Sequence, residues 1–313
     1  MTMSRVSRVQ RFLGVLFLLA TALSAQSPLQ PSKGGSREQS EVPLASALQR
    51  IRSITVQVTA EIGYSSAGNP IRRGSKSVVL GSGFLVDTAH HVVTARHVVE
   101  AAEKARENLL NAPAGREGPI DPQSVSVGLF VGFASEQVVD WERENFSLGN
   151  FTMVPATFLK FNPTADVAVL QILEVPQHSG FSLQGREHRI SQPVLPRFDE
   201  RLAEEGEAIG VSGFPLEVPS LVTTFGRIGA RYALANNALV QLGSVQVNPG
   251  NSGGPVYRLQ DGAVIGIAIG YWQAPAQVLV PLPSGQTVAG SAPMNSGLAA
   301  ITPIRYALEL LSQ

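Results

Sequence analysis

Cysteine is absent from this chain of 313 residues. Its absence excludes disulfides, cysteine nucleophiles, thiolate metal ligands and a lipid-bearing cysteine. An excess of charge of one sign is also missing, because 24 basic residues balance 24 acidic ones. Nucleic-acid binding depends on clustered positive charge, so we expect no nucleic-acid partner. We also expect no metal ion and no cofactor.

An apolar run long enough to cross a membrane is lacking near the N-terminus. The run at residues 12–20 is shorter than the roughly 20 residues that a spanning helix needs. It follows Arg5, Arg8 and Arg11 and precedes small residues, which predicts a cleaved secretory signal at residues 1–25. An uncleaved anchor is the alternative. We expect an exported protein, periplasmic or secreted, with no stable membrane span after cleavage.

The rest of the sequence divides into a linker and one folded domain. Residues 26–43 lack periodic apolar positions, which is typical of a flexible linker, and the domain is expected at residues 44–313. Thirty glycines, 21 prolines and many short β-branched runs favour an all-β fold for this domain.

The clearest chemical signal is the segment at residues 247–256, where Ser252 stands among glycines and prolines. A serine hydroxyl attacks a carbonyl only if donors are already arranged for the developing oxyanion. Backbone N–H groups can converge where the chain turns without side-chain bulk, which Gly250, Gly253 and Gly254 permit. The segment predicts a nucleophile, Ser252, and an oxyanion hole formed by the amides of Gly250 and Ser252. Taken alone, it also fits an ordinary hairpin loop.

One histidine has the setting of a general base. His97 follows an apolar strand expected at residues 91–95 and begins a helical turn, with apolar neighbours that fix its backbone. The other histidines are interpreted as core or surface residues; they are His90, His91, His178 and His188.

One aspartate is suited to orient that histidine. The aspartates between His97 and Ser252 are Asp121, Asp140, Asp166 and Asp199. Only Asp166 heads an unbroken apolar strand, where a carboxylate is partly buried and needs a partner. A histidine N–H is such a partner, and the contact would also fix the histidine tautomer. An aspartate in an ordinary turn is the alternative.

The order of the histidine, the aspartate and the serine along the chain differs between the known families of serine hydrolase. The serine loop also matches G-x-S-x-G, but α/β-hydrolases place the histidine after the serine, and every histidine here precedes Ser252. The subtilisin order needs an acid before the histidine, and the only aspartate ahead of His97 is Asp87, in a predicted turn. The remaining order of histidine, aspartate and serine is that of chymotrypsin-like double barrels.

This order predicts two six-stranded antiparallel β-barrels and a short C-terminal helix. The first barrel is expected at about residues 50–190, the second at about 205–303 and the helix at 303–311. Within residues 103–160 we expect a strand at residues 124–131 and interpret part of the rest as a surface insertion. Residues 176–205 are interpreted as the crossover between barrels, and residues 273–296 as a long loop beside the cleft.

Three segments occur in the order that this fold requires: Thr94–Val99, Ala165–Leu170 and Asn248–Pro255. Together they resemble the trypsin-like serine proteases, and most closely the bacterial high-temperature-requirement branch (HtrA, Deg-type). By this resemblance His97 is the general base, Asp166 its orienting acid and Ser252 the nucleophile, with Gly250 and Ser252 as the oxyanion hole. Unlike that branch, the sequence leads us to expect no PDZ-like module. Asn251 stands where digestive relatives carry an aspartate, so activation through that aspartate is not expected.

The resemblance implies a function and, less sharply, a specificity. It implies an exported endopeptidase that cleaves unfolded or exposed polypeptide through an acyl-enzyme. The alternative is a catalytically latent module on the same scaffold that binds or senses proteins. By the resemblance, the substrate pocket is formed by Gln246 at its floor and by Ile267, Ala268 and Ile269 in its wall. None of these is acidic, so small or medium apolar substrate side chains are expected.

Overall fold

A computed structural model describes residues 44–67, 69–112, 119–134, 138–139, 151–173, 180–183, 186–190, 194–215, 218, 220–234, 236–281 and 286–313. The predicted signal at residues 1–25 and linker at residues 26–43 lie outside these ranges, so both stay predictions. No helix within the ranges is long and apolar enough to cross a lipid bilayer.

β-Strands dominate the described residues. They are β1 (Thr55–Ser66), β2 (Asn69–Leu85), β3 (His91–Ala95), β4 (Ser126–Ala134), β5 (Val138–Val139), β6 (Phe151–Asn162), β7 (Val167–Ile172), β8 (Gly180–Leu183), β9 (Arg186–Ile190), β10 (Ala208–Gly213), β11 (Val222–Ala233), β12 (Leu239–Gly243), β13 (Pro255–Arg258), β14 (Val264–Pro281) and β15 (Thr287–Pro303). The α-helices are α1 (Leu44–Ile54), α2 (Arg96–Leu110) and α3 (Arg305–Ser312), and Pro122–Ser124 forms a short 3-10 turn.

The first barrel closes in the strand order β1-β2-β3-β7-β6-β4. Each neighbouring pair runs antiparallel. The interior is filled by β-branched, leucine and aromatic side chains that are fully or almost fully buried, among them Val58, Phe84, Val93, Phe133 and Leu170. Burying one such side chain stabilises the fold by about 1.5–3 kcal/mol. Because the chain has no disulfides, this core carries the stability of the barrel.

The second barrel closes in the order β10-β11-β12-β15-β14-β13, again with antiparallel neighbours. Its interior includes the buried side chains of Ile209, Val211, Val256 and Ile301. The predicted pair of six-stranded antiparallel barrels is therefore confirmed.

The short C-terminal helix is confirmed as well. Pro303 is the last residue of β15, and α3 begins at Arg305 and runs to Ser312. Ala307 and Leu310 are buried in the core cluster of the first barrel, against which α3 packs. The last element of the chain thus ties the second barrel to the first.

The expected insertion and the expected crossover both contain strands. Residues 103–160 include β4, which agrees with the strand expected at residues 124–131, and most of β6, which was not expected; both are strands of the first barrel. β6 was not predicted because its ladder with β7 has a bulge between Phe158 and Lys160. A bulge breaks the two-residue alternation by which a strand is recognised. Residues 176–205 contain β8 and β9, which form a separate three-stranded sheet with β5.

The expected loop at residues 273–296 is a β-hairpin. β14 and β15 pair from Gly266 opposite Pro303 out to Pro281 opposite Thr287. Within the described residues no third strand joins this ribbon beyond Tyr271. A proline lacks the N–H that a ladder needs, but it is tolerated where a strand edge is open. The Pro- and Gly-rich composition therefore did not prevent pairing.

The later part of the crossover is fixed to the second barrel by a cluster of charges around Arg258. The Arg258 side chain is 5% exposed and pairs with Asp199, which is 10% exposed, and with Asp261. Arg201 also donates to Asp199, at 2.9 Å. The hydrogen bond from Arg201 has the largest effect on the Asp199 carboxyl and holds its pKa well below the usual range. The hydrogen bond from Arg258 acts in the same direction, whereas burial opposes both.

Candidate active site

The pairing of β3 with β7 brings His97 and Asp166 to the same edge of the first barrel. The two strands are antiparallel, and their ladder ends with Ala95 opposite Val167. Asp166 directly precedes Val167, and His97 follows Ala95 after Arg96, whose N–H donates to the Asp166 carbonyl at 3.1 Å. His97 and Asp166 therefore lie close together because of the register of β3 and β7.

Asp166 contacts His97 through both oxygens of its carboxylate. The backbone N–H of His97 donates to Oδ1 at 3.0 Å, and the ring Nδ1 of His97 lies 2.7 Å from Oδ2. His97 lies in the first turn of α2, whose N–H groups have no partner within the helix. The carboxylate supplies that partner, and its negative charge is favoured at a helix N-terminus. The His97 and Asp166 side chains are 44% and 31% exposed, so both remain accessible.

The backbone of Asp166 has an unusual conformation that neighbouring residues hold. Its φ is 55°, in the left-handed region that aspartate visits more readily than most residues. The preceding carbonyl, of Ala165, accepts from Thr302 Oγ1 of β15 at 2.9 Å. Asn162 Oδ1 accepts from the Ala165 N–H at 3.0 Å. The aspartate is therefore fixed by its own loop and by the second barrel.

The serine loop, residues 247–254, packs against the end of β3. A Cβ placed on Gly253 would lie 2.3 Å from Thr94 Oγ1 and 3.0 Å from the Ala95 nitrogen. The carbonyl of Ser252 accepts from the Ser82 N–H of β2 at 2.8 Å. Ser252 is thus held against the strands that lead to His97, although the two residues lie on different barrels.

The loop leaves backbone donors available next to Ser252. Gly250 and Gly253 have φ values of 99° and 89°, which side chains other than glycine rarely adopt. Among the described residues, the N–H groups of Gly250 and Ser252 donate to no protein atom. The two residues are separated by one residue, and unpaired backbone amides are the kind of donor that an oxyanion site uses.

Ser252 Oγ makes no hydrogen bond to His97 or to any other residue that the structure describes. The structure thus joins His97 to Asp166 and leaves Ser252 nearby, with its hydroxyl unpaired. Hydrogen bonds of this type are often long without substrate and tighten when substrate binds.

A second histidine repeats the contact with an aspartate at a different place. The His91 N–H donates to Asp87 Oδ1 at 3.0 Å, and His91 Nδ1 lies 2.6 Å from Asp87 Oδ2. This pair lies in the turn between β2 and β3, at the opposite end of β3 from His97. Next to it, burial lowers the pKa of His90. The duplicated geometry offers an internal control for experiments on His97.

The residues predicted for the substrate pocket have different environments. Gln246 is exposed, and its carbonyl accepts from Thr224 Oγ1 at 2.7 Å. Ile267 and Ala268 are fully buried, whereas Ile269 is partly exposed. The Ile267 and Ala268 side chains belong to the two barrel cores, and the backbone N–H and carbonyl of Ala268 bond to Gly254 and Gly253 of the serine loop. The predicted pocket stays a prediction.

Two supporting residues were missed by the sequence reasoning. Thr302 and Ser82 are fully buried and polar, and each donates to a loop that carries a predicted site residue. The only signal in the sequence was a serine between two glycines inside an apolar strand, at Gly81 to Gly83. In the described part of the chain, no group of three or more acidic and histidine side chains is placed to hold a metal ion.

Comparisons with known proteins agree with this architecture. A model of the trypsin-like peptidase domain matches residues 81–267. The solved structure of the HtrA-type protease AlgW with a decapeptide is similar, with a TM-score of 0.55 and 17% identity over 87% of this chain and 67% of that one. AlgW with a tripeptide gives a TM-score of 0.50 and 17% identity over 87% of this chain and 63% of that one. At this identity the likeness shows the fold alone. No curated protein matches the sequence.

The present chain therefore spans about two thirds of the length of those proteases. The match to the family model covers more than half of the chain and includes β3, β7 and the serine loop. On that match, the chain belongs to the trypsin-like peptidase domain family.

Proposed function

We propose that this protein is a serine endopeptidase in which His97, Asp166 and Ser252 form the catalytic triad. The observation that carries the proposal is the double contact of the Asp166 carboxylate with the backbone and ring of His97. A proton on Nδ1, donated to Asp166, leaves Nε2 free to accept the proton of Ser252. The unpaired amides of Gly250 and Ser252 support the proposal independently.

The reaction proceeds in two steps, formation of an acyl-enzyme and its hydrolysis. Ser252 Oγ attacks the scissile carbonyl carbon while His97 Nε2 takes the hydroxyl proton, and the carbonyl electron pair moves onto oxygen. The Gly250 and Ser252 amides bind that oxyanion. When it collapses, the C–N bond breaks and His97 gives its proton to the leaving amine. Water then attacks the acyl-enzyme by the same steps and releases the acid.

The substrates that we propose are polypeptides. The similar structures of AlgW contain a decapeptide and a tripeptide, which is compatible with a cleft for extended peptide. We also propose that the predicted pocket of Gln246, Ile267, Ala268 and Ile269 accepts small or medium apolar side chains. A set of chromogenic peptides that differ only in the residue before the scissile bond tests this. A preference for lysine or arginine at that position would contradict it.

Export remains part of the proposal and rests on residues 1–25 of the sequence. The test is expression in a bacterial host, followed by fractionation and N-terminal sequencing of the product. A product in the periplasm or medium that begins near residue 26 supports cleavage. A product that starts at Met1 in the cytoplasm would refute export.

A latent binding module is the second candidate, and one observation favours it: Ser252 Oγ is not hydrogen-bonded to His97 in the described structure. A fluorophosphonate probe separates the two candidates, because it reacts only with an activated serine. We expect labelling of the purified wild type, none of Ser252→Ala and much slower labelling of His97→Ala. His91→Ala is the matched control, since it removes the other aspartate-bound histidine and is expected to label normally. A folded wild type that neither labels nor cleaves casein would favour the latent module.

A further inference from the structure

Ser82 of β2 makes four hydrogen bonds outside the sheet ladder, and two of them reach the serine loop. Its side chain is fully buried. The backbone N–H donates to the Ser252 carbonyl at 2.8 Å, and the backbone carbonyl accepts from Thr94 Oγ1 at 2.7 Å. The hydroxyl donates to the Gly250 carbonyl at 2.6 Å and accepts from the Phe214 N–H at 2.9 Å. The hydroxyl thus uses its one proton and one of its lone pairs inside the protein.

The bond to Gly250 matters because glycine has no side chain to limit its own rotation. Gly250 supplies one of the two amides proposed to bind the oxyanion, and it has a φ of 99°. The amide nitrogen and the carbonyl carbon of Gly250 are bonded to the same Cα atom, so only the rotations φ and ψ separate the directions of the two groups. Fixing the direction of the carbonyl therefore restricts the direction in which the N–H of this residue can point. The Ser82 N–H fixes the carbonyl of Ser252 in the same way.

We propose that Ser82 is a positioning residue, whose hydroxyl holds Gly250 in the conformation that aims its amide at the oxyanion. The proposal rests on the proposed endopeptidase function. Ser82 acts through Gly250, because its hydroxyl is buried and its two hydrogen bonds go to backbone groups. The contact also crosses between the barrels, since Ser82 belongs to β2 whereas Gly250 and Phe214 follow strands of the second barrel.

The surroundings of the Ser82 hydroxyl are closely packed. A Cβ placed on Gly213 would lie 2.8 Å from Ser82 Oγ and 2.8 Å from Asn251 Oδ1. Removing the hydroxyl takes away both a donor and an acceptor at this point. In Ser82→Ala, the Gly250 carbonyl and the Phe214 N–H would both be left without this partner.

The test compares Ser82→Ala with Thr55→Val in the full-length protein. Thr55 is also fully buried in the first barrel, and its Oγ1 donates to the Ile51 carbonyl at 2.7 Å, which is a contact within its own segment of the chain. Losing an oxyanion donor outright costs about a hundredfold to a thousandfold in kcat, and misaligning one should cost about tenfold to a hundredfold. We expect that loss in kcat for Ser82→Ala with KM changed less than about threefold. Thr55→Val should lose thermal stability and keep kcat.

A second readout reports on the oxyanion site directly. A peptide boronic acid forms a tetrahedral adduct on the serine and resembles the transition state. Its affinity for Ser82→Ala should fall by the same factor as kcat/KM. Equal kcat and equal boronate affinity in wild type and Ser82→Ala would overturn the positioning role and leave the endopeptidase function intact. A wild type that neither turns over peptides nor reacts with a fluorophosphonate would overturn both.

Ser82→Cys keeps the experiment decisive if Ser82→Ala does not fold. A thiol is larger than a hydroxyl but keeps a weak donor at this position. We expect the kcat of Ser82→Cys to lie between those of wild type and Ser82→Ala. If Ser82→Ala cannot be measured, the expected loss in kcat for Ser82→Cys is about tenfold. A folded Ser82→Cys with wild-type kcat and wild-type boronate affinity would overturn the proposal.

Discussion

Asp166 holds His97 at two points, since its carboxylate accepts from the His97 backbone N–H at 3.0 Å and lies 2.7 Å from the ring Nδ1. One carboxylate thus caps the first turn of α2 and orients the imidazole. Each function needs a different oxygen, so replacing the side chain separates them.

Asp166→Asn should keep the backbone contact and lose the control of the histidine tautomer. The amide oxygen can still accept from the His97 N–H, but the amide nitrogen would face Nδ1 as a donor. We expect kcat to fall by about 10⁴, as for a triad whose histidine is held in the wrong tautomer. Hydrolysis of a peptide p-nitroanilide measures this. Asp87→Asn is the matched control because Asp87 holds His91 in the same way. If both variants lost activity equally, the assignment of Asp166 would be wrong.

Gly253→Ala should destabilise the protein far more than Gly206→Ala. Both glycines have a left-handed backbone, with φ values of 89° and 85°. A Cβ on Gly206 meets nothing within 4 Å, whereas one on Gly253 would lie 2.0 Å from the Ser82 carbonyl oxygen. The Gly206 variant therefore carries only the backbone cost of about 1–2 kcal/mol. The Gly253 variant adds displacement of the serine loop, which overpacking suggests costs about 1–3 kcal/mol more.

Urea unfolding and fluorophosphonate labelling together check this pair. We expect Gly206→Ala to label like wild type and Gly253→Ala to label slowly or not at all. Equal unfolding free energies for the two variants would show that the serine loop does not lie as close to β2 and β3 as described.

The charge cluster at Arg258 predicts how stability depends on acidity. Hydrogen bonds from Arg201 and Arg258 depress the pKa of Asp199 in the folded state. A depressed carboxyl pKa adds stability above the unfolded value, which is about 4, and this stability is lost as pH falls through the folded pKa. The stability difference between wild type and Asp199→Asn should therefore be largest near neutral pH and shrink below about pH 4.

Urea denaturation at several pH values between 7 and 3 measures that difference. Glu205→Gln serves as the control, because it also removes one carboxylate but from an exposed side chain. A gap between wild type and Asp199→Asn that stays constant down to pH 3 would contradict the assigned role of the cluster.

The hairpin of β14 and β15 predicts a tolerated deletion. Residues 273–295 extend beyond the part of the ladder that closes the second barrel, where Gly266 to Tyr271 pair with Ala299 to Pro303. Replacing residues 273–295 by a short Asn-Gly turn should leave the barrel folded. Circular dichroism and thermal unfolding measure the outcome. Loss of cooperative unfolding would mean that the barrel depends on the outer ribbon.

The sequence predicted the architecture where local patterns agree with the tertiary environment. β3 and β7 are mostly apolar because their side chains are buried in the barrel. The sequence therefore showed where each strand ends, and with it that His97 and Asp166 lie next to strand ends. β6 was not predicted, since its bulge between Phe158 and Lys160 breaks the alternation. The Pro- and Gly-rich residues 273–296 indicated a loop, but pairing across the hairpin satisfies their backbone. Local composition does not report such partners.

What the sequence by itself determined is the all-β class, the order of histidine, aspartate and serine, and the glycines that the serine loop needs. These depend on residue type and neighbours alone. Only the tertiary structure decided that both oxygens of Asp166 contact His97, and that Ser82 binds a loop 168 positions away. Those contacts depend on strand register within one barrel and on how the second barrel packs against it. A polar residue's partner across such an interface has no signal in the residues beside it.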